Sequence, residues 1–101
     1  MTPVRIQRKR TRGWRMPEGA VYVGRPTLWG NPYTMRSDRW NRAGAALAVY
    51  AYRLMAAKRG TGWLLPLRNA TALCCWCPLV DAVGQPVPCH ADVLIDLLGQ
   101  P

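Results

Sequence analysis

Apolar and basic residues alternate at the start of the chain. Residues 4–10 (VRIQRKR) have the two-residue period of an edge strand. Residues 11–19 (TRGWRMPEG) carry turn chemistry at both ends and a proline inside, which predicts a loop. Residues 20–25 (AVYVGR) are a short, β-rich, apolar run, the pattern of a central strand. Residues 26–33 (PTLWGNPY) hold two prolines and a glycine and are expected to be irregular. The period then becomes helical. Ser37 or Asp38 offers a cap, the helix runs to about Arg59, and Gly60 stops it. At about 100° per residue, Trp40, Ala43, Leu47, Tyr50 and Leu54 share one arc, the expected buried face. Arg39, Arg42 and Arg53 fall on a flank and read as solvated surface. Residues 62–68 suggest a helical turn broken at Pro66, and residues 70–77 (ATALCCWC) a buried strand. A loop over residues 78–88 leads to a second, short helix over residues 89–98 (CHADVLIDLL).

This order predicts an α/β fold: a small open sheet of about three strands, with one long helix and a short C-terminal helix. No repeat or low-complexity segment interrupts the chain, so residues 1–101 read as one domain with frayed ends. A strand–helix–strand crossover leaves its two strands parallel. Ligands of open α/β sheets bind beyond the carboxyl ends of the strands. Two loops leave from that edge. One holds Trp29-Gly30-Asn31-Pro32, and the other is flanked by Cys75, Cys77, Cys89 and His90. The topology is therefore expected to bring the WGNP segment to the Cys/His cluster. The basic N-terminal strand is expected beside the strand of residues 20–25.

Charge narrows the choice of partners. Fourteen Lys and Arg face five Asp and Glu, for a net charge of +9, and twelve of the fourteen are Arg. Arginine pairs bidentately with phosphate, so nucleic acid or a nucleotide leads as the partner, although a small protein can be basic without one. The first twenty residues lack the apolar core of a secretory signal, and no stretch approaches the roughly 20 apolar residues of a membrane span. The expected setting is the cytoplasm, where thiols stay reduced. Four cysteines there read as metal ligands, reactive thiols or buried apolar residues before they read as disulfides.

Alternation along a strand separates those cysteines. Cys75 and Cys77 face one way with Leu73, while Cys74 and Trp76 face the other, into packing. Cys89 begins a helix, where the dipole and free N–H groups favour a thiolate. His90 is the chain's single histidine. Two chemistries fit. In one, Cys75, Cys77, Cys89 and His90 hold a zinc ion. The spacing C-x-C-x11-C-H is not a standard knuckle, however, and adjacent Cys89 and His90 would strain to reach one ion. In the other, Cys77 or Cys89 is a nucleophile or ligand-contacting thiol, with His90 as acid/base. Against both stands cysteine's habit of simply being buried. Asp92 either complements the helix dipole or orients His90. Arg12, Arg15 and Arg25 flank Trp14 and Trp29, the ingredients for holding a phosphate and stacking a base. Packing of a lid on the core would equally account for the two tryptophans. Asn31 offers an amide to a ligand or closes its own turn.

The segments GWRMP (13–17), VYVGRP (21–26), WGNP (29–32), CWCP (75–78) and PCHADVL (88–94) resemble a family of small domains of unknown function found in actinobacteria and their phages. The resemblance spans nearly the whole chain. It implies that these motifs belong to one site and implies no activity. The 79–87 loop is longer than the link usual in that family, and the 60–70 segment is shorter. The resulting expectation is a small basic α/β domain that binds a nucleotide or nucleic-acid phosphate at a Cys/His site, with nucleotide- or base-directed catalysis as one extension. The competing expectation is a zinc-stabilised nucleic-acid-binding protein without catalysis, of a kind a phage could encode. A third is a basic module for an acidic protein partner.

Overall fold

The computed structural model describes residues 2–33, 41–60 and 62–99. Strands β1 (Val4–Gln7), β2 (Ala20–Tyr22) and β3 (Ala72–Cys75) form one sheet in the order β1-β3-β2. Both neighbours run parallel to β3, with Val4 opposite Ala72, Gln7 opposite Cys75, and Tyr22 opposite Cys74. All four residues of β3 are buried, as an apolar strand with a partner on each edge should be. The expected placement of the N-terminal strand beside residues 20–25 is therefore corrected. It lies against β3, and residues 20–22 form an edge strand, not the central one. Alternation reports which face a residue occupies; it carries no information about which strand lies alongside.

Helix α1 (Arg42–Arg59) starts where Asn41, in extended backbone, accepts a 2.7 Å bond from the Gly44 amide. The cap is Asn41; Ser37 and Asp38 lie outside the described residues, as do Arg39 and Trp40. The helix ends at Gly60, whose φ of 75° suits glycine, after the basic residues Lys58 and Arg59. Its buried face is also corrected. Ala45, Tyr52 and Ala56 face the core, with Val49 and Met55 packed beside it, while Leu47, Tyr50 and Leu54 are exposed. Nor is the arginine flank simply solvated. Arg42 binds Asp81 and the Pro86 carbonyl at 2.6 Å each, and Arg53 binds Asp96 at 2.9 Å.

A 3-10 helix (Gly62–Leu67) follows and continues through Pro66 without a break. Proline has no N–H for the Trp63 carbonyl, and the indole of Trp29 donates to that carbonyl instead, at 2.9 Å. Helix α2 (His90–Leu98) closes the fold and buries His90, Ala91, Val93 and Leu94. The core joins Val23, Leu73 and Cys75 from the sheet side to Tyr52 of α1, Leu67, and Leu94 of α2. No helix among the described residues is long and apolar enough to cross a membrane.

A candidate thiolate metal centre in a cleft

Parallel strands put Gln7, Tyr22 and Cys75 at one edge of the sheet. The chain leaves β3 through Trp76 and Cys77, crosses residues 78–88, and re-enters the core at Cys89. This return brings Cys75, Cys77 and Cys89 together, with all three sulfurs within 4.8 Å of one another. Cys75 Sγ and Cys89 Sγ are 3.0 Å apart. Cys75 and Cys89 are fully buried and Cys77 is half-buried. Cys74 is also buried but stands outside the group, as strand alternation predicted.

One thiolate among three thiols is the favoured ionisation. Hydrogen bonds from Cys75 and then Cys89 hold Cys77 well below the ordinary thiol range, helped by the Arg5 guanidinium. The same contacts push Cys75 up, through its bond to Cys77, and push Cys89 up, through Cys75 and then Cys77. Burial adds to both increases.

His90 stands beside the triad and outside the group of facing thiols. Its Nε2 lies 2.8 Å from the Val23 carbonyl, which can only accept, so Nε2 carries the hydrogen. Nδ1 is left as an acceptor 3.8 Å from Cys89 Sγ. Burial lowers the His90 pKa and keeps the ring neutral. Tyr52 meets the ring edge-on at 5.1 Å and donates its own hydroxyl hydrogen to the Trp29 carbonyl at 2.7 Å. Asp92, a candidate to orient His90, instead binds Arg5 at 2.9 Å.

Arg5 is the residue that sequence reasoning missed. It leaves β1 with a side chain only 9% exposed. One guanidinium nitrogen donates to the Val87 carbonyl and Asp92, at 2.8 and 2.9 Å. The other donates to the carbonyls of Pro78 and Leu79, at 3.2 and 3.1 Å. A single fork thus ties the outgoing and returning arms of the cysteine loop to each other and to the sheet. The alternation of residues 4–10 marked Arg5 only as a polar position.

The triad opens into a cleft of about 520 Å³ shared by Arg25, Asn31, Tyr33, Val49, Trp76 and His90. The WGNP segment thus does come to the cysteines, though mostly as scaffold. The amide nitrogen of Asn31 donates to the Ala48 carbonyl at 3.1 Å, and its oxygen accepts from the Tyr33 amide at 2.8 Å. Arg25 Nε donates to the Asn31 carbonyl at 2.7 Å. Gly30 packs so close that a Cβ would sit 3.0 Å from the Arg25 nitrogen and 3.1 Å from its Cα. Trp29 packs against the core.

Trp14 lies elsewhere. It lines a second groove with Arg8, Lys9, Arg10, Met16 and Trp76. Arg12 and Arg15 are exposed on the same 8–19 loop and line neither cavity. Trp76 was expected in packing with Cys74; it is 39% exposed and borders both cavities.

Fold and site define a small α/β domain with a three-thiol cluster at the carboxyl edge of a parallel sheet. The chain belongs to the family described as Domain of unknown function (DUF4326), whose model matches residues 6–100. No curated protein and no solved structure matches it.

Proposed function

We propose that this chain is a zinc–thiolate protein whose cleft accepts a nucleotide beside the metal. The observation that carries the reading is the convergence of Cys75, Cys77 and Cys89 on one point. Zn–S bonds of about 2.3 Å place tetrahedral sulfurs about 3.8 Å apart. The observed spread, from 3.0 Å to less than 4.8 Å, brackets that value, so small side-chain rotations would suffice. All three cysteines line the cleft, which leaves a fourth position facing it. His90 then supports the ligand set rather than joining it, because its ring nitrogens lie outside the group of mutually facing donors. Its Nε2–H bond to Val23 fixes the ring beside them. Three thiolates on Zn²⁺ leave a net negative centre, and the nearby Arg5 guanidinium offsets it. Such a centre is a weak Lewis acid, which favours a stabilising role for the ion or a nucleophilic thiolate over activation of bound water. The cleft has the size of a small-molecule site, with apolar walls for a base and the Arg25 guanidinium at its rim for a phosphate.

The lowered Cys77 pKa supports a second reading without metal. Cys77, already a thiolate, would be the nucleophile at a ribosyl carbon. Its C–S bond would form as the C–N bond to the base breaks and the departing base takes a proton from water, while His90 Nδ1 faces the Cys89 thiol.

Elemental analysis of protein purified without a histidine tag separates the two. A zinc-to-protein ratio near one supports the first, and protein that is metal-free as purified and takes up no added zinc removes it. The nucleotide part is checked by thermal shift with mono- and diphosphorylated nucleosides. Stabilisation by none of them would remove it.

A further inference from the structure

The face of the sheet turned away from the helices has a chemistry of its own. Leu73 and Cys75 face the helical core, so alternation turns Cys74 and Trp76 to the opposite face. Tyr22 and Arg8 occupy that face on the flanking chains. The Arg8 guanidinium lies over Tyr22 at 4.8 Å and over Trp76 at 5.0 Å, and that of Arg10 lies over Trp76 at 4.9 Å. Lys9, Trp14 and Met16 complete a groove of about 470 Å³. It is more polar than the thiol cleft and carries three adjacent cations. Trp76 borders both cavities and sits between Cys75 and Cys77 in the chain, so a base stacked on it is one residue from the thiols.

We propose that this groove is a track for single-stranded nucleic acid, leading a nucleotide of the strand into the thiol cleft. This deepens the nucleotide reading of the cleft by naming the polymer that carries the nucleotide. Aromatic rings flanked by guanidinium groups along a sheet face match the needs of an unpaired strand. The rings stack bases of any sequence, and the cations follow the phosphates. A duplex hides its base faces and leaves only the cations to act. An acidic protein would use the cations and leave Trp14 and Trp76 without partners.

The experiment is fluorescence anisotropy of a labelled oligo-dT strand with zinc-loaded protein, at several salt concentrations. Three cations at about 0.7 counterions each give a log–log salt slope of about −2, hence about 15-fold weaker binding between 50 and 200 mM salt. Tryptophan emission is expected to fall on binding. Lys9→Glu with Arg10→Glu, both at exposed positions, is expected to weaken binding more than tenfold. Trp14→Ala is expected to weaken it several-fold with little change in salt slope. Circular dichroism confirms that the variants fold. Equal affinity for a duplex of the same sequence, equal competition by polyglutamate, or unchanged binding by the double variant would overturn the proposal. The thermal shift with free nucleotides is read in parallel. Free nucleotides that stabilise the protein without strand binding leave the cleft reading standing and remove the track. Strand binding without nucleotide stabilisation keeps the groove as a single-strand site and removes both the nucleotide reading of the cleft and delivery into it.

Discussion

Arg5 decides how the cysteine loop is held. Its fork meets three carbonyls and the Asp92 carboxylate, and it is nearly buried. Removing it strands those acceptors, although Asp92 is half exposed and can recover water. Arg5→Ala is therefore expected to cost about 2–3 kcal/mol in urea denaturation, below the 3–5 of a fully buried pair. Arg5→Lys should recover less than half of that, since an ammonium cannot fork to both arms. A loss below about 0.5 kcal/mol, the range of ordinary surface changes, would refute this role. Residue-scale legibility was uneven. Alternation alone separated Cys74 from Cys75 and Cys77, because a period of two is a local property. Arg5 was illegible because its partners lie 73 to 87 residues away and depend on which strand β1 joins.

At the scale of elements, α1 shows why hydropathy misplaced a face. The large apolar residues Leu47, Tyr50 and Leu54 drew the predicted arc, but the core takes Ala45, Tyr52 and Ala56. Small residues let a helix approach closely, and a hydrophobic count undervalues them. Ala56→Leu should thus overpack the core and cost about 1–3 kcal/mol. Leu54→Gln should stay within about 0.5 kcal/mol, as a surface change does. Equilibrium urea curves for both variants check the inversion, and a larger loss at Leu54 would refute it. The 78–88 loop gives a second test. Asp81 accepts from the Gln85 and Val83 amides and from Arg42, at 2.9, 3.0 and 2.6 Å. The Gln85 amide first, and Arg42 next, hold its carboxyl below the usual value of 3.8. A depressed carboxyl stabilises the fold above pH 3.8, and the contribution is lost as pH falls through the native value. Asp81→Asn should therefore melt below the parent at pH 6, with the gap closing as pH drops below 3.8. A gap that persists into strong acid would show that the carboxylate charge is irrelevant.

For the whole molecule, parallel topology did most of the positioning that the sequence could reveal. A crossover between residues 20–25 and 70–77 was enough to send WGNP and the cysteines to one edge, because handedness and strand direction are general constraints. Strand order was not, since it rests on contacts such as the Arg5 fork. The cluster therefore joins β3 to α2 across the whole 78–88 loop, and an ion there would restrain that loop in the native state only. Binding to the folded state alone raises stability by mass action, by about 4 kcal/mol at a thousandfold excess over Kd. In a domain of about 100 residues each kcal/mol moves Tm by about 4–8 °C. Chelation of the zinc-loaded protein should therefore lower Tm by at least about 10 °C, with re-addition of zinc restoring it. Cys75 and Cys89 belong to the same core as Tyr52, Leu67, Leu73 and Leu94. As protonated thiols they still pack there as small apolar residues, so the chelated protein should stay folded at about 25 °C. Two serine variants separate metal binding from burial. Cys89→Ser removes a ligand and should abolish both the bound zinc and the chelator effect. Cys74→Ser places a hydroxyl on the opposite face of β3, in a fully buried position. It should cost about 1–3 kcal/mol, yet keep one zinc per chain. Loss of zinc from Cys74→Ser, or its retention in Cys89→Ser, would place the ion somewhere other than among Cys75, Cys77 and Cys89.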